Sequence, residues 1–98
     1  MTISKAKESN KLTVSVEGRL DTTTAPELEG ELKSCLDGIT EFILDFEKLE
    51  YISSAGLRVV LSAQKQMNKQ GSMKVVKVGP EIKEIFDVTG FSDILTIE

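Results

Sequence analysis

The sequence predicts an α/β fold: a mixed sheet of four or five strands, opened by a β-hairpin and continued by parallel crossovers, with three or four helices. Three observations carry this. A strict apolar alternation over Lys11–Glu17 reads as a half-buried strand, apolar stripes at helical spacing recur further along, and short apolar runs fall between those stripes. With 98 residues the chain is expected to be one domain, residues 1–98, that buries well over half of its unfolded surface.

The elements follow in order. Thr2–Lys7 is expected as a first strand and Glu8-Ser9-Asn10-Lys11 as a turn; then Leu12, Val14 and Val16 share one face while Thr13, Ser15 and Glu17 share the other. This strand is expected to run out at Gly18-Arg19-Leu20-Asp21. Thr24 stands three residues before Glu27, the spacing of a capping box, and Pro26 is tolerated in a first helical turn. The helix that starts there carries Leu28, Leu32, Cys35 and Leu36 as its stripe, with Ile39 beyond and Gly38 as a C-terminal cap. Phe42-Ile43-Leu44, with Phe46 after Asp45, suits a central strand buried on both faces. Strand, helix, strand with short links implies a parallel pair and a right-handed crossover.

A second helix is expected from Ser54 to about Gln70, with Leu57, Val60, Leu61, Gln64 and Met67 at helical spacing and an end near Gly71. Met73–Val78 reads as a strand and Gly79-Pro80 as its end. A third helix over Pro80–Val88 turns Ile82, Ile85 and Phe86 inward and stops at Thr89-Gly90, and Ile94–Ile97 reads as a short edge strand. The loops Asp21–Thr24, Glu47–Ser54 and Gly79-Pro80 would leave the carboxyl ends of parallel strands. Open α/β folds place their sites along that edge, so the three are expected to be neighbours.

Composition narrows the function. Cys35 is the only cysteine, so no internal disulfide forms, and no basic-then-apolar leader opens the sequence; a reducing cytoplasm is the expected compartment. The apolar runs are too short to cross a bilayer. A formal net charge of −4 with scattered lysine and arginine argues against nucleic acid as a direct partner. With no histidine and one cysteine, the usual general bases and a set of soft metal ligands are missing, and neither an enzyme nor a cofactor is expected. Asp45 has the position of a strand-end phosphoacceptor but lacks an acidic pair to hold magnesium, which favours a solvated acid. Cys35 lies on an apolar stripe, where a thiol behaves as a small hydrophobe.

Tyr51-Ile52-Ser53-Ser54-Ala55-Gly56-Leu57-Arg58 closes a strand and loop and opens the second helix. Serines at such a boundary usually cap the helix, whose first turn also welcomes a negative charge such as phosphate. Ala55 and Gly56 would leave backbone open to a visitor. Leu57 has core spacing, and Arg58 is either solvated or paired with an acid on a partner. Residue chemistry alone favours capping.

Ile52-Ser53-Ser54-Ala55-Gly56-Leu57-Arg58, preceded by Leu44-Asp45-Phe46 and Gly18-Arg19-Leu20-Asp21, resembles the STAS domain of bacterial anti-sigma factor antagonists, and the resemblance spans essentially the whole chain. It implies a partner-switching regulator. The unphosphorylated form would bind an anti-sigma factor that is also a serine kinase, freeing a sigma factor for transcription. Phosphorylation, with the kinase's own ATP and magnesium, would release the kinase, and a serine phosphatase would reset the switch. The resemblance places the phosphoacceptor on Ser54, with Ser53 second, since Ser53 stands where many members have an aspartate. It implies a docking surface of Asp21, Thr22 and Thr23 with Ser53, Ser54, Ala55, Gly56, Leu57 and Arg58. The alternative it leaves is a non-switching STAS subunit of a transporter, lipid-trafficking or stress-sensing complex.

Overall fold

In a computed structural model that describes residues 1–98, the chain runs through β1 (Thr2–Glu8), β2 (Lys11–Leu20), α1 (Ala25–Cys35), β3 (Glu41–Asp45) and β4 (Leu49–Ile52). It continues through α2 (Ser54–Gln70), β5 (Ser72–Val76) and α3 (Pro80–Thr89) to a short 3₁₀ turn at Phe91–Asp93. The main sheet has the order β1-β2-β3-β5, antiparallel at the β1–β2 hairpin and parallel thereafter. The α/β class, the opening hairpin and the crossover through α1 are as the sequence predicts. β4 stands off this path and pairs in parallel with the last residues of β2, Leu20 lying opposite Ile52.

Register explains where the core sits. Leu12, Phe42 and Met73 are aligned across β2, β3 and β5, as are Val14, Leu44 and Val75, and all six are buried. Their neighbours on the other face, Thr13, Ile43 and Lys74, and Ser15, Asp45 and Val76, are not. The helices therefore cover one face only. The reading of β3 as buried on both faces is corrected: Ile43 extends the apolar run, yet it lies half-buried between Thr13 and Lys74 on a face that also carries Ser15, Asp45 and Val76. Ala25, Leu28 and Leu32 seal α1 to the core, Leu36 and Ile39 follow them in just beyond the helix, and Phe86 anchors α3 with its ring centroid 6.4 Å from that of Phe46 and 6.5 Å from that of Phe91. A fully buried phenylalanine is worth about 1.5–3 kcal/mol, so Phe46 and Phe86, both fully buried, hold α3 in place.

Several local features differ from expectation. β2 ends at Leu20, inside the stretch where it is expected to run out, after passing through Gly18. That residue has φ +101°, which suits glycine, and the register shifts between Gly18 and Arg19, so the strand passes through an irregularity and continues to Leu20. Thr24 starts α1 without forming the capping box, because its hydroxyl turns back into the preceding loop. Cys35 is only half-buried, and Leu61 too, while Val59 and Ala63 take core positions. The expected last strand reduces to one parallel bridge between Val75 and Ile97.

Candidate functional site

The site is built where β2 and β4 end together. Ser53 is extended (φ −94°, ψ 174°), its N–H donates to the Leu20 carbonyl at 2.9 Å, and its Oγ accepts from the Gly56 N–H at 3.3 Å. Its carbonyl accepts the first helical bond, from the Leu57 N–H at 2.9 Å. Ser53 is thus the N-cap of α2, half-buried, with its polar groups engaged. Ser54 is the first helical residue. It is exposed, and its hydroxyl has no hydrogen-bond partner within the chain.

The four residues that follow divide by face. Arg58 is exposed and Ala55 half-buried, whereas Gly56 and Leu57 are buried. A Cβ on Gly56 would lie 2.7 Å from Leu20 Cγ, 2.9 Å from Ile52 Cγ1 and 3.0 Å from the Leu20 carbonyl oxygen. The small residue at 56 therefore serves an internal contact, the seating of α2 on the ends of β2 and β4. The expectation that it leaves backbone open to a visitor is corrected, since its space is already taken. Leu57 faces the core, the reading its spacing favoured.

Beside this helix start lies the Asp21–Thr24 loop, a self-contained knot. Asp21 Oδ1 accepts from the Thr23 N–H at 3.0 Å, the Thr23 hydroxyl at 2.8 Å and the Thr24 N–H at 3.1 Å. The Thr24 hydroxyl accepts from the Asp21 N–H at 2.8 Å and donates to the Arg19 carbonyl at 2.8 Å. These bonds, the Thr23 hydroxyl first and the Thr24 N–H next, hold the Asp21 carboxyl below the usual carboxylate range. Thr22 and Thr23 are exposed at the tip.

Two further residues belong to this surface and were not singled out from sequence. Arg19 and Tyr51 are register partners, and the Arg19 guanidinium lies 4.3 Å from the centroid of the half-exposed Tyr51 ring, a cation–π contact. Arg19 Nε is also 3.9 Å from Asp21 Oδ2. The pairing of β4 with β2 brings them together, a contact that only a recognised β4 would have disclosed. The Gly79-Pro80 loop approaches the other end of β4, where Leu49, Glu50, Gly79, Pro80, Glu81 and Ile82 line a recess of about 390 Å³. Of the three loops expected as neighbours, Asp21–Thr24 and the end of 47–54 meet at the serines, and Gly79-Pro80 lies beside the start of β4.

The electrostatics at the helix start are distinctive. α1 and α3 carry Glu27 and Glu81 in their first turns, but α2 has no acid there, so no side-chain charge answers its N-terminal dipole. No group of three or more His, Cys, Asp or Glu side chains is placed to hold a metal ion. No helix is long and apolar enough to cross a membrane.

Known proteins resemble this chain in sequence and in fold. BtrV of Bordetella bronchiseptica, a candidate anti-sigma factor antagonist, is 35% identical over 99 residues that cover 99% of this chain and 85% of BtrV. A crystal structure of an anti-sigma factor antagonist from Mycobacterium paratuberculosis superposes with a TM-score of 0.88 at 25% identity, covering 98% of this chain and 83% of that one. SpoIIAA of Bacillus in its phosphorylated form shares the fold, with a TM-score of 0.77 at 16% identity and coverage of 99% and 91%. The sequence profile of the STAS domain matches residues 2–98, and with it the chain belongs to the STAS domain family.

Proposed function

We propose that the chain is an anti-sigma factor antagonist that works by partner switching in the bacterial cytoplasm. Unphosphorylated, it binds an anti-sigma factor serine kinase through Asp21, Thr22, Thr23, Ala55, Arg58 and the two serines, and a sigma factor is freed. Gly56 and Leu57 support that surface from beneath. The chain itself does no catalysis. The kinase supplies ATP and magnesium: Ser54 Oγ bonds to the γ-phosphorus, the bond to the β–γ bridging oxygen breaks, ADP leaves, and the hydroxyl proton passes to a base of the kinase. A serine phosphatase reverses the modification.

The observation that carries this reading is the division between the serines. Ser53 has its hydroxyl occupied by the Gly56 N–H, and Ser54 presents an unengaged one to solvent. A phosphate on Ser54 adds about −1.5 to −2 charges at a helix end that tolerates them. At an interface the same charge has to be desolvated, at a cost of several kcal/mol, and roughly 1.4 kcal/mol is already tenfold in affinity.

The test is phosphate mapping after incubation with the anti-sigma kinase and ATP. The tryptic peptide Leu49–Arg58 contains Tyr51, Ser53 and Ser54, and the phosphate is expected on Ser54. An unmodified peptide with an active kinase would sink the switch. Ser54→Ala is expected to bind the kinase and resist release, and Ser54→Asp to bind at least tenfold more weakly; equal affinities would count against ejection by charge. A non-switching subunit would instead copurify with a transporter or scaffold whatever residue 54 is.

A further inference from the structure

We propose that Arg58 is the residue that holds the phosphate on Ser54, its guanidinium closing in cis onto the phosphoserine one helical turn away. The inference rests on the reading of Ser54 as the modified residue and adds what the modification does to the surface around it. Residues four apart on a helix are neighbours on one face, and Ser54 and Arg58 are both exposed on α2 with no bulky outward side chain between them. The chain has two arginines, and both border this site. Arg19 is engaged with the Tyr51 ring and Asp21, whereas Arg58 has no carboxylate within 4.0 Å.

Sequence explains why Arg58 stands unpaired. Its helical neighbours three and four residues away are Ser54, Ala55, Leu61 and Ser62, none of them acidic. The anion that can reach it along α2 is therefore one added to Ser54. A planar guanidinium offers two parallel N–H donors to phosphate oxygens, a match that an ammonium lacks. Phosphorylation then changes the docking surface twice: it adds a dianion, and it withdraws the unpaired cation that a partner's carboxylate could otherwise engage.

The test uses full-length chain carrying phosphoserine at position 54, introduced during synthesis so that no kinase is needed, in wild type, Arg58→Ala and Arg58→Lys. Phosphorus NMR is expected to show the phosphate's second ionisation lower in wild type than in Arg58→Ala by roughly 0.2–0.4 of a pH unit, the equivalent of one intrahelical ion pair, with Arg58→Lys between them. The Arg58 Nε–H signal is expected to move when wild type is phosphorylated. If the wild-type and Arg58→Ala titrations coincide, or the Nε–H signal stays in place, the proposal falls. An unmodified Leu49–Arg58 peptide in the kinase experiment would remove the switch itself, whereas coincident titrations would remove the role of Arg58 alone.

Discussion

Replacing Ser53 by alanine removes the oxygen that receives the Gly56 N–H, and loss of a serine cap costs about 1 kcal/mol. Urea unfolding should show that loss for Ser53→Ala with an unchanged slope, and a change within about 0.5 kcal/mol for Ser54→Ala, whose hydroxyl bonds to nothing in the chain. Asp21 offers a second test. Its carboxyl is held low by the Thr23 hydroxyl and the Thr24 N–H, so the ionised form is favoured by folding. The stability it contributes is present above the ordinary aspartate range, about 3.9, and is lost as pH falls through the lower folded value. Carbon NMR should find Asp21 titrating below that range and Thr23→Ala raising it; an ordinary value in wild type would contradict the knotted loop. At this scale the sequence marked the serines and Asp21 but not their division of labour, because which of two adjacent hydroxyls caps a helix depends on where the chain leaves the strand.

The first turn of α2 seats on the ends of β2 and β4 through Gly56. Gly56→Ala is expected to destabilise by about 1–3 kcal/mol as its Cβ forces the Leu20 and Ile52 side chains or the Leu20 carbonyl to give way. It should also weaken partner binding, since the tilt of the helix start carries Ser54 and Arg58 with it. Thermal unfolding and kinase binding measured on the same variant check both; unchanged stability would show that the contact yields easily. The long elements were legible in the sequence because their periodicity is long: α1, α2 and α3 fall within a few residues of expectation. β4 was not, since only Leu49 and Ile52 of its four residues are buried, leaving no alternation to read. The end of β2 was legible, but the irregularity at Gly18 inside the strand was not, because a lone glycine reads as a turn signal. The capping box failed because Thr24 was drawn backward by Asp21, a partner that precedes the motif.

For the molecule as a whole, phosphorylation takes the formal charge from −4 to roughly −6, since phosphoserine adds about −1.5 to −2. The Debye length near 8 Å at physiological salt confines that change to the neighbourhood of the helix start. Amide shifts on phosphorylation are therefore expected in residues 19–24 and 51–58, and unfolding free energy should rise by about 0.3–1 kcal/mol. Shifts spread through β5 and α3 would mean a global rearrangement instead. The one-sided sheet has a practical counterpart. Thr13 lies on the uncovered face six residues before Arg19, roughly 20 Å along an extended strand. A dye or surface tether attached there leaves the serines unobstructed, so the domain can be immobilised by one face while its other end is read, which is the geometry of a sensor body.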